Sequence, residues 1–141
     1  MDVVDLRSMC SIVAKTTPLC MSKIERFEDL KCWQAARALV KESFIAATEG
    51  PLARDFDAKS QFKRAALSSM NNIAEGFGRF SDKEFIRFLD TAQSSVQEVE
   101  SMLYVFEDLS YLPHEKIGSL RSKATNTKGL ILGLIKYLRN K

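Results

Sequence analysis

The chain has 141 residues, a length that one domain fills and that can bury a core without metal or disulfide staples. Apolar and charged residues make up 45% and 28% of it, which excludes a disordered or fibrous chain. The longest apolar runs are far too short to cross a bilayer, so no membrane partner is expected. A formal charge of +3 permits contact with nucleic acid without requiring it. Three cysteines (Cys10, Cys20 and Cys32) and one histidine, His114, cannot build a Cys/His metal cluster, and no cofactor is expected. A Cys10–Cys20 disulfide remains an alternative, but reduced thiols in a cytoplasmic protein are the expectation.

Residues 1–20 do not read as a secretory signal. Asp2 and Asp5 oppose a positive start, and Ser11, Lys15 and Pro18 break the apolar segment. They are expected to be a flexible extension or a mis-assigned start ahead of a domain spanning 21–141. A first helix is predicted over about 28–48, with Trp33, Ala36, Val40, Phe44 and Ala47 on its apolar face and Cys32 on or near a helix face. Gly50-Pro51 stops it. Asp55 or Asp57 caps a second helix running to Gly76–Gly78, whose core row is Phe62, Ala66, Ser69, Ile73 and Phe77. The glycines there are read as a helix end that adopts the left-handed conformation at the crossing into the next helix.

Ser81 with Glu84 forms a capping-box pattern ahead of a third helix over about 82–109. Its core face is Phe85, Phe88, Leu89, Ala92, Val96, Val99, Leu103 and Phe106. Pro113 opens a fourth helix with a heptad-like seam of Ile117, Leu120, Ala124, Thr127, Ile131, Leu134 and Leu138. Gly129 and Gly133 weaken that helix, so tertiary contacts must hold it. No strand pattern competes. The expected architecture is all-α, an up-down-up-down antiparallel four-helix bundle.

The string Asn72-Ile73-Ala74-Glu75-Gly76-Phe77-Gly78-Arg79, followed by Glu84-Phe85-Ile86-Arg87-Phe88-Leu89 and by Ser95 with Glu98, resembles a known family. It is the four-helix-bundle family encoded in intervening sequences of the 23S ribosomal RNA gene. The resemblance reaches back to Phe27-Glu28-Asp29-Leu30, Trp33 and Ala36-Arg37, and covers roughly 24–140. Where the family has glycine, this chain has Ser94 in the third helix and Ser110 near its end. The resemblance implies a homo-oligomer, with pentameric rings among members. It also implies kinship with the accessory protein of diversity-generating retroelements, a basic pentamer that binds nucleic acid and a reverse transcriptase. The family's own biochemical role is poorly defined.

Catalysis is not expected. His114 reads as an exposed residue at a helix start, and Gly76-Phe77-Gly78 lacks the following Lys-Ser/Thr of a phosphate loop. Glu75 and Glu98 could face each other across the hairpin, but two carboxylates alone make a poor metal or acid–base site.

Two other sets of residues carry candidate function. The first is a polar row, Gln61, Arg64, Ser68, Asn72, Glu75 and Arg79, joined by Ser95 and Glu98. It either forms an interhelical or intersubunit network, with Arg64 and Glu75 reaching partners on the third helix or a neighbouring subunit and Asn72 bonding backbone or Ser95, or faces a ligand or RNA. The network is the preferred reading.

The second set arises from uneven charge. From Ser81 to Leu109 seven acids face two bases, whereas from Pro113 to Lys141 seven bases face Glu115 alone. These charges are either complementary neighbours or a basic stripe for phosphates, comprising Lys116, Arg121, Lys123, Lys128, Lys136 and Arg139, with Arg64 and Arg79 secondary. The expected role is a nucleic-acid-associated accessory factor, with structured RNA or DNA and a reverse transcriptase or other protein as partners. The alternative is a protein-interaction scaffold with no nucleic-acid contact.

Overall fold

The computed structural model describes residues 23–141, so the expectations for residues 1–20 and for Cys10 and Cys20 lie outside the described residues. Four helices follow one another: α1 (Lys31–Ala46), α2 (Phe56–Phe77), α3 (Asp82–Asp108) and α4 (His114–Arg139). Single 3₁₀ turns at Phe27–Asp29 and Pro51–Arg54 are the other elements, and there is no strand among the described residues. Each helix packs on the next, and α4 returns against α1, closing four helices around one core. The connections are only a few residues long, so sequence neighbours lie antiparallel.

Local chemistry explains the boundaries. Asp55, of the two candidates, is the α2 cap: its Oδ1 accepts from the Ala58 amide at 3.0 Å. Ser81 Oγ accepts from the Glu84 amide at 3.1 Å, the forward half of a capping box. Glu84 does not complete the box. Its carboxylate pairs with Arg87 one turn on, at 3.2 Å.

The first helix starts later than its sequence suggests. Phe27–Asp29 forms a tight turn, and Leu30 adopts an extended conformation (φ −72°, ψ 127°) that sends its side chain into the core at 2% exposure. Burying that leucine outweighs continuing the helix toward Glu28.

The core rows of α3 and α4 are as the periodicity predicts, except that Phe88 is only half-buried. In α2, Phe62, Ala66, Ser69 and Ile73 are buried and Phe77 half-buried.

α1 is rotated by one residue from the expected face. Its core row is Cys32, Ala36, Leu39, Ser43 and Ala46, while Trp33, Val40 and Phe44 flank it half-buried. Both rows share the spacing of three and four, so periodicity could not separate them. Small side chains at 32, 36, 43 and 46 let α1 sit close to the core, and the bulky rings take the margin. Burial pushes the Cys32 thiol up to about 12, which leaves it an inert packing residue.

The glycine string works differently from its expected role. Gly78 has φ −77°, an ordinary right-handed value, so no left-handed glycine ends α2. Gly76 is needed for proximity instead: a Cβ there would lie 2.6 Å from Phe88 Cβ and 3.0 Å from the Phe85 ring. α2 and α3 therefore touch almost backbone to side chain at this point.

A non-glycine residue, Ser110, takes a left-handed φ of +54° at the end of α3, as Gly50 does ahead of Pro51. The Tyr111 amide donates to Phe106 O at 2.8 Å and the Ser110 amide to Glu107 O at 3.1 Å, while the Tyr111 and Phe106 rings stack at 6.0 Å. This is a Schellman stop with serine in the glycine position. A non-glycine residue there costs about 1–2 kcal/mol. Ser110→Gly is therefore expected to raise the unfolding free energy by about 1 kcal/mol in urea titration. Unchanged or lowered stability would show that the serine carries no such strain.

Candidate functional site

The polar row of α2 meets α3 in a directed chain of hydrogen bonds. Ser95 Oγ donates to Thr91 O at 3.0 Å, which commits its only hydrogen. The 2.8 Å bond between Ser68 Oγ and Ser95 Oγ is then donated by Ser68. Asn72 Nδ2 donates to Ser68 Oγ at 3.1 Å and to Ser68 O at 2.8 Å. Asn72 thus reaches Ser95 through Ser68. No imidazole or carboxylate takes part in this chain, so neither serine has a base to activate it. Its role is to satisfy polar groups in a half-buried seam and fix the register of the two helices.

The rest of the row does not join the seam. Glu75 pairs within α2, accepting from Arg79 Nη2 at 2.9 Å, and the Arg79 guanidinium lies 4.7 Å over the Phe88 ring. Gln61, Arg64 and Glu98 are exposed, and none makes a hydrogen bond or ion pair among the described residues. The expected reach of Arg64 and Glu75 onto α3 does not occur within the protomer. Glu75 and Glu98 also fail to face each other. With Ser68 opposite Ser95 and Gly76 opposite Phe88, antiparallel packing separates them by about 15 Å along the bundle.

The charge asymmetry resolves largely into neighbours. Arg121 meets Glu107 at 3.5 Å, Lys128 meets Glu100 at 3.6 Å and Lys141 meets Asp82 at 3.2 Å, all between α4 or its end and α3. Lys123 meets Glu42 of α1 at 3.4 Å. The Arg121 guanidinium also lies 4.5 Å over the Tyr104 ring. Lys116, Lys136 and Arg139 have no acidic partner among the described residues, and only the last two are exposed. His114 is exposed at the first position of α4. Among the described residues no three His, Cys, Asp or Glu side chains converge as metal ligands would.

Sequence reasoning missed a second basic surface, along the outer edge between α1 and α2. Lys63 Nζ of α2 lies 4.7 Å over Phe44 of α1, joining the two helices. The Arg37 guanidinium lies 5.7 Å over Trp33, and Lys59 Nζ lies 5.8 Å over Phe56. Lys41 is exposed one turn beyond Arg37. α1 and α2 contain three acids. Glu42 turns to Lys123 of α4, and Asp57 and Glu75 lie on the α2 row that carries Ser68. None lies on the faces that carry Arg37, Lys41 and Lys63, but Asp57 and the cap Asp55 flank Phe56. The signal was present as Arg37/Lys41 and Lys59/Lys63, each four residues apart, but it could not be read without the rotation of α1.

At the start of α2, beside Phe56, the Tyr111 hydroxyl donates to Asp55 Oδ2 at 2.7 Å by an open recess lined by Pro51, Arg54, Phe56 and Asp57. That bond, with the Ala58 amide, holds the Asp55 carboxyl below its usual range, and the same bond raises the Tyr111 phenol. This ties the α1–α2 connection to the stop at the end of α3.

A model of the 23S rRNA-intervening sequence protein family matches residues 28–133, about three quarters of the chain. The chain belongs to that family. Among solved structures it is similar to a protein of unknown function from the S23 ribosomal protein family of Bacteroides thetaiotaomicron. The two are 24% identical and superpose with a TM-score of 0.64, over 75% of this chain and 95% of that one, a likeness of fold. No curated protein sequence matches. In this 23S rRNA-intervening sequence protein no described helix is long and apolar enough to cross a membrane.

The Asp55–Tyr111 bond predicts two pH limbs. A carboxyl lowered by folding contributes stability above its ordinary value near 3.8, and this is lost as pH falls below it. A phenol raised by folding contributes stability below its ordinary value near 10.0, and this is lost as pH rises above it. Tyr111→Phe should flatten both limbs in chemical denaturation run from pH 2.5 to 11. Identical pH profiles for the two proteins would remove the bond from the account.

Proposed function

We propose that this 23S rRNA-intervening sequence protein is a non-catalytic, cytoplasmic, homo-oligomeric accessory factor that binds nucleic acid, structured RNA above all, by charge and shape. The observation that carries this reading is the placement of cations left without acidic partners. Among them are Arg37 and Lys41 on α1, Lys59, Lys63 and Arg64 on α2, and Lys116, Lys136 and Arg139 on α4. Arg121, Lys123, Lys128 and Arg79 are engaged with carboxylates and rank behind them. Assembly strengthens the attraction: a ring of five would bring together a formal charge of about +15 from +3 protomers. A reverse transcriptase or another nucleic-acid enzyme is the protein partner that fits an accessory role.

A scaffold that binds only proteins is the second reading. Val105 and Leu109, 49% and 54% exposed one turn apart on α3, favour it.

Light scattering of the protein alone and with a structured RNA fragment, across a salt series, tests the choice. The proposal expects an oligomer that takes up RNA at low salt and releases it as salt rises. An oligomer that ignores RNA at every salt concentration contradicts it and leaves the scaffold reading.

A further inference from the structure

The α1–α2 edge brings together four cations and three aromatic rings, with Asp55 and Asp57 beside Phe56 at one end. Its chemistry differs from that of the α4 bases. An arginine or lysine paired with a carboxylate presents little net field to a ligand, whereas one resting on a ring is positioned and keeps its full charge. Arg37 over Trp33, Lys63 over Phe44 and Lys59 over Phe56 are all of the second kind. Lys59 Nζ is further fixed by donating to Ala53 O at 2.9 Å. Arg37 and Lys41 stand one turn apart on α1, about 6 Å along the axis, a step that successive phosphates of an extended strand can follow. Phe56 is 72% exposed, so much of its ring is open to a flat partner.

We infer that the edge formed by Arg37, Lys41, Lys59 and Lys63 is the nucleic-acid contact surface, and that it takes an unpaired RNA strand whose phosphates lie on the cations and whose bases stack on Phe56. The inference rests on the nucleic-acid reading above and deepens it. Single-stranded binders combine a positive track with rings on which bases stack, and both halves are present here. A duplex keeps its bases stacked inside and would leave Phe56 unused. Along Arg37, Lys41 and Lys63 a basic protein partner would meet like charge.

Trp33 is the chain's single tryptophan, so its fluorescence reports on this edge alone. The experiment titrates the full-length protein with a 20-nucleotide oligouridine and with a 20-base-pair RNA duplex over a salt series, reading Trp33 emission and anisotropy of labelled RNA. The single strand is expected to bind more tightly than the duplex and to change Trp33 emission. Replacing Arg37, Lys41 and Lys63 together by glutamine should lower the salt slope by about 2, at about 0.7 per lost phosphate contact. Lys41→Gln alone, on an exposed side chain that the fold does not need, should lower it by about 0.7. Phe56→Ala should weaken the single strand more than the duplex.

Binding that survives the triple replacement but falls with Lys136→Gln and Arg139→Gln would overturn this surface and keep the nucleic-acid function. No binding of either RNA by the unaltered protein would overturn both. A triple variant whose assembly mass changes would place the edge between subunits and overturn the inference as well.

Discussion

The close approach of α2 and α3 at Gly76 is the constraint on which the rest of this bundle depends. A hydrogen stands there in place of a side chain because Phe88 Cβ occupies the space a methyl group would need, 2.6 Å away. Once that contact is made, the register of the hairpin is fixed. Ser68 comes opposite Ser95, the hydrogen-bond chain from Asn72 to Thr91 O closes, and Arg79 lies over the Phe88 ring. A slip by one residue would leave half-buried hydroxyls without partners, a cost of about 1–3 kcal/mol for each. Gly76 of the glycine string is thus a packing residue in this chain.

The same geometry sorts the charges. α4 lies beside α3, and its bases answer the acids of α3 at Glu107, Glu100 and Asp82, with Glu42 of α1 answering Lys123. These pairs are half-exposed and add little stability, but they remove positive charge from the field that a polyanion would sense. Among the cations that stay unpaired are those at the far end of α4 and those of the α1–α2 edge, where rings rather than carboxylates support Arg37, Lys59 and Lys63. Function in such a bundle is a matter of which faces the helix rotations leave uncompensated.

Much of this was legible in the sequence. The four helices, the Ser81 cap and the core rows of α3 and α4 follow from periodicity and capping chemistry, because each long helix offers one apolar row and no rival, while the α2 cap was narrowed only to Asp55 or Asp57. Ser68, Asn72 and Ser95 were legible as polar positions, but the link through Ser68 depends on the register of the two helices. The core face of α1 was not legible. It carries two rows of equal spacing, and the one with small residues takes the core while Trp33, Val40 and Phe44 move to its margin. That single rotation hid the α1–α2 edge. The charge asymmetry offered pairing of the α4 bases with the α3 acids as one alternative, as Arg121 and Lys128 show, but the turn of Lys123 to Glu42 of α1 could not be read from it. The left-handed residue was misplaced to the glycine string because Ser110 gives no composition signal for it.

The central claim, that close approach at Gly76 organises the hairpin, is tested most directly by comparing Gly76→Ala with Gly129→Ala in equilibrium unfolding. Both changes remove the same backbone freedom from a helix, but a Cβ at Gly129 meets no neighbouring atom within 4 Å. Gly129→Ala should therefore gain about 1 kcal/mol from helix propensity. Gly76→Ala must push α3 away and should lose about 1–3 kcal/mol through overpacking. Equal gains at both positions would contradict the account.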